Sequence, residues 1–501
     1  MSGIPRPETV TPCLLRRLAE LIPAELTGGD VPVTGVTHSS GAVRPGDLYA
    51  ALPGANRHGA EFIADAARSG AVAVLTDPAG LPAALAAGLP ALVAADPRAV
   101  LGAASAAIYG EPSRRLTMIG VTGTAGKTST SYLVESGLRA AGLVTGLVGT
   151  VETRLGDLVV KSVRTTPEAT DLQAVLAASL EHGVQAVVME VSSHALVMGR
   201  ADGIRFAAAG YTNFGQDHLD FHPTSEEYFA AKARLFDGRS AVAVLNHDDP
   251  AVMGLFREGT ITYSAAGDTA ATWWASDVRP SAFGQRFTAH GPDGLTVATG
   301  VALPGLHNVA NALLALALLV AVGIDPAVAG EGIAACRGVP GRLEQVEAPG
   351  EVLGVVDYAH KPNAIVAALA ALRELATARG GRLICVIGAG GDRDKGKRPL
   401  MGAAAAHGAD LVIITDDNPR TEDPASVRHA VRAGAEEAST AAKVIEVAGR
   451  RAAIDEAVRQ AVAGDVIAVL GKGNEQGQEV NGQVLPFDDR IELAQALEAH
   501  A

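Results

Sequence analysis

A layered α/β fold is predicted by three observations on this chain. Short apolar runs alternate with alanine-rich helical segments along most of its length. One run, Leu116 to Val121, leads into the glycine-rich stretch Gly123-Thr124-Ala125-Gly126-Lys127-Thr128-Ser129, and helical spacing (Ser131, Leu133, Val134, Leu138) follows it. Later apolar runs each end in polar, glycine-bearing or acidic loops, where open parallel sheets bind ligands. At about 150 residues per domain the length predicts three domains. The expected boundaries are 1–112, 113–340 and 341–501.

In the first domain, Ala71 to Leu75 and Ala91 to Ala95 read as buried strands, each followed by Asp-Pro. Glu111 to Arg115 reads as a linker. In the second, Gln185 to Glu190 is an apolar run ending in a carboxylate, Ala241 to Leu245 is another strand, and about 260 to 305 reads as a strand-rich insert. In the third, Val352 to Val356, Arg382 to Ile387, Leu411 to Thr415 and Val466 to Leu470 alternate with helices in a Rossmann-like pattern.

Composition narrows the function. Acidic residues outnumber basic ones, 55 to 41, for a formal charge of −14, which argues against a nucleic-acid binder. The three cysteines, Cys13, Cys336 and Cys385, lie far apart without C-x-x-C spacing, so a reducing compartment is expected. Met1 to Glu8 has no apolar core of a secretory signal. The longest apolar stretch, Ala312 to Ile324, is shorter than the roughly 20 residues that span a bilayer and reads as a buried helix. A cytoplasmic protein with no membrane partner is expected, and a monomer.

The glycine-rich stretch has the makings of a phosphate cradle. Its glycines let backbone N–H groups converge on anionic oxygens, the helix start adds partial positive charge, and Lys127 reaches the outer phosphates. Thr128 is placed to hold Mg²⁺. The full G-x-x-x-x-G-K-[ST] pattern wants glycine where Val121 sits, yet lysine and threonine keep register, and ATP is the expected ligand. Glu190 at a strand end is either a solvent-facing acid or a ligand of the nucleotide's Mg²⁺. His218, in the stretch Asn213 to His222, is either a metal ligand or a structural histidine. Lys232, between apolar turns of a helix, reads by itself as a solvated lysine. In the third domain, loops at 390–398, 416–420 and 471–475 follow strands. Arg393 and Arg420 suit a carboxylate and Glu475 suits an ammonium, so an amino acid would satisfy the set.

These stretches together resemble the Mur ligase family nearly end to end. GTxGKT, MEVSSHAL (189–196), HLDFH (218–222) followed by AAKARLF, LPGLHNVANALLALA (303–317), VPGRLE, VDYAHKP, GGDRDKGKRP, DNPR (417–420) and GKGxE (471–475) occur in family order. The resemblance implies three α/β domains with a central P-loop ATPase. It also implies ATP-dependent addition of meso-diaminopimelate to UDP-N-acetylmuramoyl-L-alanyl-D-glutamate through an acyl phosphate, DNPR being the family's mark of diaminopimelate rather than lysine. It implies that Lys127 and Thr128 hold phosphates and Mg²⁺, and that Asn311, Arg342 and Asp357 contact ATP. Glu190 and His218 would be metal ligands, and Lys232 an N6-carboxylysine, an anion able to hold a second Mg²⁺. Thr165, Thr166, Ser192 and Arg200 would hold the sugar-peptide. Arg393, Asp417, Asn418, Arg420, Gly471 and Glu475 would hold diaminopimelate.

The chain departs from the family at Ser39-Ser40-Gly41, where Asp-Ser-Arg is usual, and at Ala125, Met198 and Asn474, where Asn, Gln and His are usual. Binding of the UDP end is then expected to rest on His38, Ser40 and Asn56. Two other readings remain open: a related ligase acting on a folate-like or secondary-metabolite carboxylate, and a nucleotide-binding switch without ligase activity.

Overall fold

The computed structural model describes residues 4–500, so part of the stretch Met1 to Glu8, expected to carry no secretory signal, lies outside the described residues. Two compact units emerge. One runs up to Trp274 and includes Leu313–Ile333; the other holds Ala275–Ala312 and the chain from Ala334 onward. The strand Trp273–Ser281 and the helix Leu306–Ala321 each begin in one unit and end in the other. No helix among the described residues is long and apolar enough to cross a membrane.

The first unit opens with a five-stranded sheet in the order Glu25–Thr27, Ala91–Val93, Ala73–Thr76, Asp47–Ala50, Gly35–Thr37. All neighbours are parallel except the first pair. Leu48, Leu75 and Leu92 are wholly buried in its core. The second Asp-Pro is a helix start: the Asp96 carboxylate accepts from the N–H groups of Arg98 and Ala99, with Pro97 as the first residue of the helix Pro97–Ile108. The expected linker contains a short 3₁₀ turn, Pro112–Arg114.

The second sheet of this unit places the phosphate loop. Within this unit its strands run Leu158–Lys161, Glu152–Leu155, Thr145–Val148, Ala186–Glu190, Thr117–Thr122, Phe206–Tyr211, Ser240–Asn246, Ile261–Ser264 and the first residues of Trp273–Ser281. From Thr145–Val148 to Ile261–Ser264 the neighbours are parallel. Register sets Glu190 opposite Val121 and Tyr211 opposite Thr122, so the loops after three adjacent strands emerge side by side. Leu313, Leu316 and Leu318, within the expected buried helix, have no exposed surface.

The second unit holds a six-stranded sheet in the order Glu344–Val346, Leu353–Asp357, Val466–Leu470, Leu383–Ile387, Leu411–Ile414, Lys443–Glu446. It is parallel except at its first pair. Asp357, Leu470, Ile387 and Ile414 end level with one another, so the loops that follow share one edge. In the insert, Gly284–His290 and Thr296–Val301 form an antiparallel hairpin. A second hairpin, Gly477–Val480 with Gln483–Pro486, turns at Asn481 and Gly482, both with positive φ.

Candidate active site

The phosphate loop is fixed by its neighbours. Gly123 has φ +142°, and a Cβ there would collide with Thr212. Gly126, at φ +84°, begins the helix Lys127–Ala140 without a side-chain cap. Only glycine enters these conformations at low cost. The Asn213 amide bonds to both backbone groups of Ala125 at 3.1 Å. The Thr124 hydroxyl donates to the Gly215 carbonyl at 3.2 Å. The Lys127 ammonium lies over the loop, donating to the carbonyls of Gly123 (2.8 Å) and Thr124 (3.1 Å). Thr128 and Ser129 are buried at the helix start.

Glu190 faces this helix from the adjacent strand. One carboxylate oxygen accepts from the Thr128 hydroxyl at 3.0 Å and the Thr150 hydroxyl at 3.1 Å, and the other from the Thr150 N–H at 2.8 Å. Gly149 must lack a side chain, because a Cβ would sit 2.5 Å from the Glu190 carboxylate. Thr128 and Glu190 supply hard oxygen donors, the set Mg²⁺ prefers. Among the described residues no three His, Cys, Asp or Glu side chains gather into a metal shell.

Lys232 is not a solvated lysine. It is 1% exposed on the helix Ser225–Ala233 and donates to the Gly123 carbonyl at 2.7 Å, with the Tyr228 ring 4.7 Å from its nitrogen. The Tyr228 hydroxyl meets that of Thr124 at 3.2 Å, so this helix bears directly on the loop. His218, at φ +53°, has its Nε2 3.2 Å from Asp217 and its ring 4.7 Å from that of His194. His194 stacks on Phe221 at 4.0 Å, and His222 meets the Ser193 hydroxyl at 2.9 Å. Burial, then the Lys232 charge, holds the His222 imidazole below its ordinary pKa; burial and then His222 do the same to His194.

The expected sugar-peptide residues are contiguous with this cluster. The Thr165 hydroxyl lies 3.0 Å from that of Thr150, and the Thr166 hydroxyl donates to the Glu190 carbonyl at 2.8 Å. Ser192 caps the helix Ser193–Val197 and donates its N–H to Thr166. Arg200 is buried and ion-paired with Glu168 at 2.7 Å; burial lowers its pKa. Further out, His38 and Ser40 line a cavity of about 290 Å³ together with Arg57 and Arg98. Asn56, expected with them, is exposed and is not among the lining residues.

In the second unit, Asp357 accepts from the N–H groups of Leu343 and Ala359, both at 2.7 Å, and the Arg342 guanidinium lies 4.5 Å from the Tyr358 ring. Burial raises the Asp357 pKa and Arg342 opposes it. Buried Asn311 donates to Asn308 at 3.0 Å.

Asn418 donates to Glu475 at 2.9 Å. The wholly buried Lys472 ammonium reaches both, Asn418 at 3.0 Å and Glu475 at 3.1 Å. Glu475 therefore already holds one cation. Arg420, at φ +54°, donates to Glu479 at 3.1 Å and to the Gly391 carbonyl at 2.6 Å. Arg393 is exposed and has no hydrogen-bond partner among the described residues. Gly471, at φ +117°, lies against Asp417, where a Cβ would come within 2.6 Å of the carboxylate. Beneath, Arg450 and Asp489 form a fully buried pair at 2.6 Å and 2.7 Å.

Sequence reasoning missed Thr150, Lys472 and Glu479. Thr150 carries no motif signal. Lys472 sits inside the GKGxE stretch, and Asn481-Gly482 is the hairpin signal that would have placed Glu479 beside Arg420.

Comparison with known proteins agrees with this arrangement. Three family models match in order: "Mur ligase family, catalytic domain" over residues 32–109, "Mur ligase middle domain" over 121–319 and "Mur ligase, glutamate ligase domain" over 341–473. The UDP-N-acetylmuramoyl-L-alanyl-D-glutamate–2,6-diaminopimelate ligase of Streptomyces coelicolor is 50% identical, with 99% of this chain and 98% of that protein covered. The protein of the same name from Corynebacterium glutamicum is 46% identical over 97% and 95%. A solved structure of a ligase of that name superposes with a TM-score of 0.69 at 31% identity, covering 98% of this chain and 99% of the other. With the phosphate loop, the buried lysine beside it and the second unit's strand-end loops all present, the chain belongs to the Mur ligase family.

Proposed function

We propose that the chain joins meso-diaminopimelate to the D-glutamyl carboxylate of UDP-N-acetylmuramoyl-L-alanyl-D-glutamate, converting ATP to ADP and phosphate, as a step of peptidoglycan precursor synthesis. The observation that carries this reading is the coexistence in one chain of two chemistries. One is a phosphate loop bordered by buried Lys232 and Glu190; the other is a strand-end pocket bearing Arg420, Asn418 and Glu475.

A carboxylate resists attack by an amine, so it is first phosphorylated by the γ-phosphoryl group of ATP. The phosphate loop and Lys127 hold the transferring group and offset charge that builds on it. Thr128 and Glu190 would hold Mg²⁺, which supplies further charge neutralisation at the phosphates. Lys232, as a carbamate, would be the anion for a second ion; its burial against the Gly123 carbonyl supports that role. Arg200 and the hydroxyls of Thr165, Thr166 and Ser192 would orient the acceptor. Asn311, Arg342 and Asp357 would contact the nucleotide. The diaminopimelate amine then attacks the acyl phosphate, the carbonyl becomes tetrahedral, and phosphate leaves as the amide forms.

In domain terms we place the UDP end in 1–112, ATP in 113–340 and the amino acid in 341–501, in a cytoplasmic monomer. A second reading, a relative acting on another carboxylate acceptor, is favoured by one observation: Ser39-Ser40-Gly41 brings neither acid nor arginine to the cavity that His38 lines. ADP release by the purified protein separates the two. It should require ATP, Mg²⁺, the UDP-linked dipeptide and diaminopimelate together. Release that proceeds without diaminopimelate, or never starts with the UDP-linked dipeptide, overturns the proposal.

A further inference from the structure

The cavity near residues 38–40 poses a charge problem: a nucleoside diphosphate needs cationic donors, and Ser39-Ser40-Gly41 supplies none. Two guanidiniums line the cavity, those of Arg57 and Arg98. Arg57 is committed. Its Nε and Nη2 both donate to Glu61, at 2.9 Å and 2.7 Å, and its guanidinium lies 4.4 Å from the centre of the Phe62 ring.

Arg98 is not. Glu168 is the one carboxylate that Arg98, Arg164 and Arg200 contact among the described residues. Arg200 and Arg164 take one of its oxygens at 2.7 Å and 3.1 Å. Arg98 stands 3.5 Å from the other, too far for a good bond, and its Nη1 is buried with no hydrogen-bond partner. Three guanidiniums face Glu168, and Asp171, which interacts with Glu168 and Arg164, is the other acid of the cluster, so positive charge is left unneutralised; a buried unbonded N–H is also costly to keep. The excess charge is relieved by an anion, which meets the exposed part of the guanidinium rather than the enclosed Nη1. The side chain as a whole is 33% exposed, so it is reachable from the cavity.

We infer that Arg98 is the residue that grips the diphosphate of the UDP-linked substrate, in place of the arginine missing at 41; the inference rests on the UDP-linked reading above. The phosphate oxygens take the guanidinium donors that Glu168 leaves open, while His38 and Ser40 remain for the rest of the nucleotide. Arg98 is presented at the second position of a helix whose start is fixed by Asp96, so its backbone is already ordered before ligand arrives.

Titration calorimetry on the full chain tests this with UDP and uridine as probes. A charge-assisted contact of this kind is worth about ten- to hundredfold in affinity. Arg98→Ala should weaken UDP binding by that factor and leave uridine binding as in the wild type. Arg98→Lys should regain part of the loss, and Arg115→Ala, which removes an exposed guanidinium outside the cavity, should match the wild type. The UDP affinity of the wild type should fall more steeply with salt than that of Arg98→Ala. If Arg98→Ala binds UDP as tightly as the wild type, or loses uridine equally, the Arg98 assignment is wrong while the substrate reading stands. If the wild type binds neither UDP nor the UDP-linked dipeptide, the substrate reading itself falls and takes Arg98 with it.

Discussion

Thr128 donates its hydroxyl hydrogen to Glu190 at 3.0 Å, tying the first turn of the phosphate-loop helix to the end of the neighbouring strand. Thr150 donates twice to the same carboxylate, so one buried acid organises three donors from two other segments. The Thr150 hydroxyl also meets that of Thr165, a residue expected to touch the acceptor.

Glu190→Ala leaves the buried Thr128 hydroxyl and the half-buried Thr150 donors unpaired, at a cost of about 1–3 kcal/mol for each that finds no water. Glu190→Gln retains an acceptor oxygen but not the charge. The alanine variant should unfold at lower urea concentration. Both should lose ADP release, by roughly 10²–10³-fold, the scale of removing one electrostatic contact to a transition state. A glutamine variant with undiminished, Mg²⁺-dependent turnover would remove Glu190 from the metal site.

Lys232→Ala should abolish ligation, and added short-chain carboxylic acids should restore part of it if a carbamate anion is what is missing. Lys232→Arg should stay inactive, since a guanidinium keeps its proton and cannot become an anion. Native mass spectrometry of the wild type should show the added CO₂. An active arginine variant would return Lys232 to a purely structural contact with Gly123.

Much of this was legible in the sequence because strands in parallel sheets are apolar throughout and end abruptly in polar loops. Thr117–Thr122, Ala186–Glu190 and Val466–Leu470 fall within a residue or so of their predicted places. Lys443–Glu446 did not announce itself: an edge strand half open to solvent, it mixes charged and apolar residues. At the site, periodicity gave Lys232 the wrong environment. Its helix carries Glu226 and Glu227 on one side, and nothing in the spacing reveals that the opposite side is pressed against the phosphate loop. Lys472 was passed over for a related reason, since a lysine in a glycine-rich loop is ordinarily solvated, and here it is wholly buried between Asn418 and Glu475.

His360 gives a pH test of the second unit. Burial pushes its imidazole down to about 4, while an unfolded histidine titrates near 6.5. Between those values the unfolded chain binds a proton that the folded chain refuses. The contribution to stability is therefore complete above about pH 6.5 and is lost as pH falls toward 4. His360→Asn, which can keep the bond that Nδ1 makes to the Tyr358 carbonyl at 2.8 Å, should lack this leg of the profile. Urea midpoints at pH 7 and pH 5 should converge in the variant relative to the wild type. Identical pH dependence in the two proteins would mean that His360 titrates normally.

Amino-acid choice should rest on Arg420. Diaminopimelate carries a carboxylate at its far end that lysine lacks, so selectivity requires a group that is left poorly paired when lysine binds. Arg420 spends Nε on Glu479 and Nη1 on the Gly391 carbonyl, which fixes the plane of the guanidinium and leaves Nη2 as the donor without a hydrogen bond among the described residues. Arg420→Ala should raise the Michaelis constant for diaminopimelate about ten- to hundredfold, the worth of one charge-assisted bond, and leave that for ATP unchanged. Glu479 has the opposite charge effect. It is substantially exposed, so its pairing with Arg420 is worth at most about 1 kcal/mol. Glu479→Gln keeps an acceptor for Nε while removing a charge that competes with the substrate carboxylate, so the same constant should fall, by no more than about fivefold. Steady-state ligation with diaminopimelate and lysine varied in turn distinguishes the roles. If Glu479→Gln weakens diaminopimelate as severely as Arg420→Ala does, the ion pair is what shapes the pocket. If both variants keep full selectivity over lysine, the distal carboxylate is held elsewhere, and exposed Arg393 becomes the residue to replace next.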